Sequence, residues 1–326
     1  MAGPGQEEKA IRKIALEEHM LCPGFEEYWY PTVANVPAAR RAELEAALFD
    51  LGEQRLQAMD AAGIARAILS ISGPGVQVER DTPTAIRKAQ AANDYLADKI
   101  AQHPDRYSGF AHLALQDGRA AAAELTRCVR DLGFKGALIN GHTHGIYLDD
   151  PSLAPLWEQA QDLQTILYLH PGDPETTMPV LAGHPELRRA TWEWTVETGS
   201  HALRLVFGGL FDRFPGAKLV LGHLGETLPY LLWRFDSRAR LYGVKLRREP
   251  SAYIRANLLV TTSGMFSREP LICALDALGD DRVMFSTDHP FESMEEAGRF
   301  IDDVKISHDR RTKIAHTNAK RVFGLT

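Results

Sequence analysis

Residues 165–170 read TILYLH, four bulky residues in a row and then a histidine followed by Pro171. The run is too short for a stable helix and shows no polar alternation, so it reads as a strand covered on both faces. Working outward, the same pattern recurs seven times. It precedes residue 165 as Lys13–Glu17 (KIALE), Arg66–Ile71 (RAILSI), Tyr107–His112 (YSGFAH) and Gly136–Asn140 (GALIN). It follows as Lys218–His223 (KLVLGH), Leu258–Thr262 (LLVTT) and Val283–Asp288 (VMFSTD). Between the runs lie amphipathic segments, the first being Ala39–Ala62 with Leu44, Leu48, Leu51, Leu56 and Met59 at helical spacing. Segments 84–103, 118–132, 153–163, 187–214, 226–243, 268–278 and 294–304 continue the pattern. Alternation of this kind makes parallel βαβ units. An open doubly wound sheet alternates too, but no glycine-rich phosphate loop follows the first run, and eight units favour closure. The expectation is an α/β fold, a (β/α)8 TIM barrel spanning 13–326 as one domain, behind a flexible N-terminal tail, 1–12. A last helix, 308–323, is expected to seal one end.

Composition bounds the function. At 326 residues with 44% hydrophobic and 25% charged content, the chain can bury a core without disulfides. Cys22, Cys128 and Cys273 are scattered and odd in number, which fits a reducing, cytoplasmic compartment. A net charge of −6 with no basic run excludes an electrostatic footprint for nucleic acid. No stretch approaches ~18 consecutive apolar residues, so no membrane span is expected, and residues 1–12 lack the apolar core of a signal peptide.

In a barrel the active site forms where strand C-termini meet the loops. Here the strand ends read Glu17-Glu18-His19, His170-Pro171, His223-Leu224-Gly225-Glu226 and Asp288-His289-Pro290. A single histidine ending a strand is more often structural. Four polar strand ends at one rim are costly unless something uses them. Glu17, His19, His170 and Asp288 together make a donor set for one divalent ion, Zn²⁺ or Mn²⁺, with Mg²⁺ fitting less well because imidazoles supply half the ligands. His223 and Glu226 are spaced as a dyad in which the carboxylate orients the ring; the plainer reading is a glutamate in a first helical turn. Arg234 lies two i+4 steps beyond Glu226, through Tyr230, and either reaches a carboxylate or pairs with a neighbouring acid. His142 and His144 sit in a glycine-flanked loop, NGHTHG, where they are candidates for touching substrate. His103, His184, His201, His308 and His316 read as structural or solvated.

With these motifs in place, the chain resembles the decarboxylase branch of the amidohydrolase superfamily, most closely its γ-resorcylate (2,6-dihydroxybenzoate) type. The stretches that carry the resemblance are KIALEEH (13–19), RCVRDLGFKGALING (127–141), YLHP (168–171), ALRLVFGGLFD (202–212), LGHLGETLPYLLWR (221–234), TTSG (261–264) and FSTDHPFE (285–292). They span nearly the whole chain in order. The resemblance implies a single divalent ion on Glu17, His19, His170 and Asp288, a His223–Glu226 dyad, Arg234 as a substrate contact, and a homodimer or homotetramer. His289 departs from the aromatic residue usual after the metal aspartate, and is expected, like His142 and His144, to line the pocket.

The activity implied is non-oxidative decarboxylation of an ortho-hydroxybenzoic acid to the phenol and CO₂, with Asp288 as proton donor and His223 taking the phenolic proton, or the reverse. The same chemistry run backwards carboxylates a phenol. Two rivals share the scaffold. A hydrolase would use a metal-bound water on a lactone, amide or nitrile, and incorporate solvent oxygen into product. The lack of a lysine at the end of 136–140 disfavours its binuclear form. A non-catalytic barrel would bind ligand without turnover.

Overall fold

The structure is a computed structural model that describes residues 11–325. Residues 1–10 of the expected tail, and Thr326, lie outside the described residues. Eight strands run in the expected order: β1 (Lys13–Met20), β2 (Ile64–Ile71), β3 (Tyr107–Gly109), β4 (Gly136–Asn140), β5 (Ile166–His170), β6 (Lys218–Leu221), β7 (Leu258–Thr261) and β8 (Val283–Met284). Neighbours pair in parallel within β1–β3 and within β4–β8. Two single bridges join the sets, Ala111 with Ala137 and Glu18 with His289. At the first, Ala111 N–H donates to Gly136 O at 2.8 Å. At the second, His19 N–H donates to His289 O at 2.8 Å, and Asp288 N–H to Glu17 O at 3.1 Å. The sheet thereby closes into a (β/α)8 barrel.

Inward-facing side chains fill the barrel. Ile14, Leu16, Phe110, Tyr168 and Met284 belong to one buried cluster, and Phe323 and Leu325 of the C-terminal segment close it below, the sealing role expected of that helix. The larger apolar cluster lies between sheet and outer helices. The helix Thr82–Gln102 shows how those helices form. Asp81 accepts from Thr84 N–H at 3.0 Å as N-cap, and Ala85, Ala89, Ala92 and Leu96 make its buried stripe. No helix among the described residues is long and apolar enough to cross a membrane.

Several boundaries differ from the pattern. The single helix expected over 39–62 is two, Ala38–Phe49 and Glu53–Ala61, because Asp50 accepts from Gly52 N–H (2.8 Å) and Arg55 N–H (2.7 Å) and starts a second helix. The segment expected over 187–214 is helical only as Glu193–Phe207, with a separate turn at Leu210–Arg213 after Gly209 turns left-handed at φ +69°. A helix at Pro250–Asn257, which buries Pro250, Tyr253, Ile254 and Asn257 along one face, is not among the expected segments. β8 ends four residues early. Its continuation is held by side chains instead, Thr262 Oγ1 bonding both Ser286 N–H and Ser286 O at 3.0 Å.

Candidate metal centre and active site

The site begins with an irregularity in β1. Ile14 and Leu16 face the barrel interior, and strict alternation would send Glu17 outward. The β1–β2 register shifts between Ala15 and Glu18, a bulge that turns Glu17 and His19 inward above Leu16. They meet His170 from β5 and Asp288 from beyond β8. One ligand atom from each of Glu17, His19, His170 and Asp288 lies within 4.8 Å of the other three. The structure thus brings together all four predicted ligands.

Each is held for the task. His170 Nδ1–H donates to Pro171 O at 2.8 Å, which leaves the Nε2 lone pair free, 3.4 Å from Glu17 Oε1. Burial pushes the pKa of this ring well down, so it stays neutral. His19 Nε2 is 3.2 Å from Asp288 Oδ1, and its Nδ1 is 3.4 Å from Ser70 Oγ. The Tyr168 hydroxyl donates to Glu17 Oε2 and bonds Thr261 Oγ1 at 2.8 Å. Glu17 Oε1 is buried without a partner. Such an oxygen costs several kcal/mol unless a cation takes it, and the two carboxylates balance a divalent charge. The donor set fits the implied ion.

Glu18, adjacent to two ligands, faces the seam. It accepts from Thr287 N–H (3.0 Å) and Thr287 Oγ1 (2.6 Å) and so fixes the residue before Asp288; burial raises its pKa to about 7. Arg55, almost fully buried, donates to His19 O at 2.7 Å from outside the barrel.

The dyad is present in an unexpected form. His223 Nδ1 and Glu226 Oε1 are 2.7 Å apart, and His223 Nε2 lies 3.7 Å from Asp288 Oδ2. Residues 223–227 all have φ between +49° and +86°, a left-handed turn with glycine only at 225. Each non-glycine there costs about 1 kcal/mol or more, strain of the kind found at functional sites. Glu226 is therefore not in a first helical turn, since the helix begins at Leu228. Burial alone would lower the His223 pKa; Glu226 and Asp288 beside the ring reverse that and hold it well above the ordinary value. Asp288, itself at φ +73°, is held well below the ordinary carboxylate range. Burial opposes that, and the His19 and His223 rings outweigh it.

Other predicted residues are not brought to this cluster. The left-handed turn breaks the helical phase, so Arg234 does not share a face with buried Glu226. It is exposed on Leu228–Leu241 with no ion pair among the described residues. His289 follows an inward-pointing aspartate and turns the other way. Its ring lines a cleft with Arg40, Ala47 and Ala58 on the outer helices, and burial drives its pKa down. His144 donates to Glu79 O at 2.9 Å, and His142 Nδ1 accepts from Gly145 N–H at 3.0 Å. Besides Tyr168, one inward residue escaped the sequence reading. Asn140 ends β4 beside His170, and both atoms of its buried amide lack partners. A polar residue closing the apolar run GALIN was the available signal.

With this geometry described, comparison with known proteins is informative. Residues 50–325 match the Amidohydrolase family model. The chain is 43% identical to γ-resorcylate decarboxylase of Rhodococcus jostii (strain RHA1), over 96% of this chain and 98% of that protein. It superposes on a 2,6-dihydroxybenzoate decarboxylase solved with 2,6-dihydroxybenzoate at a TM-score of 0.91, with 42% identity, covering 97% of this chain and 100% of that one. A dihydroxybenzoic acid decarboxylase from Polaromonas sp. JS666, holding manganese and the inhibitor 2-nitroresorcinol, superposes at 0.90 with 40% identity, covering 97% and 98%. The inward carboxylates and imidazoles, the dyad beside them and a likeness running the length of the barrel agree: the chain belongs to the amidohydrolase family, among its metal-dependent aromatic acid decarboxylases.

Proposed function

We propose that this enzyme converts an ortho-hydroxybenzoate of the γ-resorcylate class to the corresponding phenol and CO₂, with one Mn²⁺ ion, and Zn²⁺ as the second choice, held by Glu17, His19, His170 and Asp288. The observation that carries this reading is the chain Glu226–His223–Asp288, which ends on one of four converging ligand groups. Manganese in the Polaromonas relative supports the choice of ion.

A bound divalent ion supplies Lewis acidity toward the substrate carboxylate and the neighbouring phenolic oxygen. The chain's own groups manage the protons. When the carbon–carboxylate bond breaks, its electron pair stays on the ring carbon and must take a proton there. Asp288 is assigned the delivery. His223, protonated at rest, first passes a proton from Nε2, 3.7 Å from Asp288 Oδ2, to that carboxylate, and then takes the phenolic proton in its place. Glu226 balances the imidazolium charge and fixes the ring.

A homodimer or homotetramer is part of the proposal. Tyr230, Trp233, Leu241 and Tyr242 are 81%, 73%, 62% and 74% exposed, on and just after the helix that carries Arg234. Apolar surface of this kind marks an interface, and Arg234, without an ion pair among the described residues, is assigned its contact with the substrate carboxylate within that assembly. Three unpaired cysteines support a cytoplasmic location.

The test is CO₂ release from 2,6-dihydroxybenzoate, 2,3-dihydroxybenzoate and salicylate by Mn²⁺-loaded protein, with inhibition by 2-nitroresorcinol. Release from at least the first is expected; none from any of the three refutes the proposal.

A further inference from the structure

Both backbone groups of His19 are tied, and the second tie is irregular. Its N–H donates to His289 O at 2.8 Å across the seam where the barrel closes. In a parallel ladder the carbonyl of such a residue receives from the N–H two positions further along the neighbouring strand, here that of Phe291. The chain has turned by then. Phe291 N–H donates to Asp288 O at 2.9 Å, and Glu292 N–H to the same oxygen at 3.1 Å. The His19 carbonyl thus loses its strand partner, just beyond the stretch where the β1–β2 register shifts.

Arg55 takes that place. From the outer helix Glu53–Ala61 its Nη2 donates to His19 O at 2.7 Å and to Ala47 O at 2.9 Å. Ala47 lies in the last turn of the helix Ala38–Phe49, where carbonyls lack partners within the helix and a cation is favoured. Arg55 is 2% exposed, and its Nε and Nη1 are buried without hydrogen-bond partners among the described residues. Two idle donors on a buried cation cost the fold stability, so packing does not account for a guanidinium here. The carboxylates whose charges reach it are Glu18 and Asp50. Glu18 in turn holds Thr287, the residue before Asp288. One side chain therefore bears on both groups that meet at the seam, His19 Nε2 and Asp288 Oδ1, 3.2 Å apart.

We propose that Arg55 is a positioning residue for the metal centre: it stands in for the strand donor missing beyond β8, fixes the His19 peptide, and so aims the imidazole at the ion. The inference rests on the four-ligand reading above and goes beyond it by giving control of the centre to a residue outside the barrel wall.

The test compares wild type, Arg55→Lys and Arg55→Met. Urea unfolding of each metal-free protein measures the fold; chelator competition and the electron paramagnetic resonance of bound Mn²⁺ measure the centre. Arg55→Met is expected to bind Mn²⁺ about 10- to 100-fold more weakly, with an altered spectrum, as for loss of a group that orients a ligand. Arg55→Lys keeps the charge and one donor, and should recover part of the affinity. A methionine variant that unfolds more easily, yet binds Mn²⁺ with wild-type affinity and spectrum, would show a structural tie only and overturn the proposal. Should that variant not fold, Arg55→Lys decides: its single ammonium replaces the fork poorly, so affinity should fall by about threefold or more with a shifted spectrum. Wild-type values in it would then overturn the proposal. If wild type itself binds no Mn²⁺, the four-ligand reading falls, and this inference with it.

Discussion

Tyr168 donates its hydroxyl to Oε2 of Glu17, while Oε1 of the same carboxylate has no hydrogen-bond partner among the described residues. A hydrogen bond from the barrel interior thus settles which oxygen is left for a cation. Thr261 Oγ1 anchors the phenol in turn at 2.8 Å. Removing the hydroxyl while keeping the ring should leave the core packed and release the carboxylate. Tyr168→Phe is expected to weaken Mn²⁺ binding about 10- to 100-fold, the usual range for a group that orients a ligand. Chelator competition and the electron paramagnetic resonance of bound Mn²⁺ read the effect. Unchanged affinity and spectrum would show that Glu17 is positioned without it.

Glycine at 222 is required by the same carboxylate. A Cβ there would lie 2.7 Å from Glu17 Oε2. Gly222→Ala must displace Glu17, so bound metal should fall below half occupancy at one added equivalent while the circular dichroism of the barrel stays that of wild type. Full occupancy in the variant would show that the carboxylate has room to move.

Much of this was legible before the structure. Eight apolar runs predicted eight strands because a strand buried on both faces leaves no choice of residue, and four runs ended in the groups that now converge. What escaped was what periodicity does not encode. The bulge that turns both Leu16 and Glu17 inward is a matter of register with β2. The left-handed turn at 223–227 overrides the propensity of residues that read as a helix start, and with it went the expected face shared by Glu226 and Arg234. His289 was expected in the pocket, but the side of a strand on which a residue falls depends on where regular alternation stops. Asn140 and Tyr168 were within quoted motifs, yet their roles depend on partners 93 and 151 residues away, or on having none.

The dyad makes a pH prediction. The Glu226 charge helps to hold the His223 pKa well above the ordinary histidine value. If the protonated ring is the working form, kcat/KM falls as pH rises through that raised value. Glu226→Gln keeps a hydrogen-bonding side chain and removes the charge, so the basic limb of the profile should move to lower pH, with kcat reduced about 100-fold or more. A limb that stays in place would mean that Glu226 does not tune the ring.

His112 supplies a prediction about stability. Its Nε2 accepts from Val76 N–H at 2.9 Å, which requires a neutral ring, and burial lowers its pKa from 6.5 to about 4. Its contribution is fully present above pH 6.5. As pH falls from 6.5 toward 4 the unfolded chain binds a proton that the folded chain refuses, and stability drops by about 1.4 kcal/mol per pH unit from this group. Urea unfolding across that window should show a shallower pH dependence for His112→Phe than for wild type, whatever the variant's absolute midpoint. Parallel slopes would contradict the assignment.

Metal content measured together with CO₂ release from 2,6-dihydroxybenzoate, before and after exhaustive chelation and then during titration with Mn²⁺, tests the four-ligand site most directly. Activity should disappear with the bound ion and return in proportion to added metal, saturating at one equivalent per chain. Full turnover by protein shown to contain no metal would contradict the account at its root.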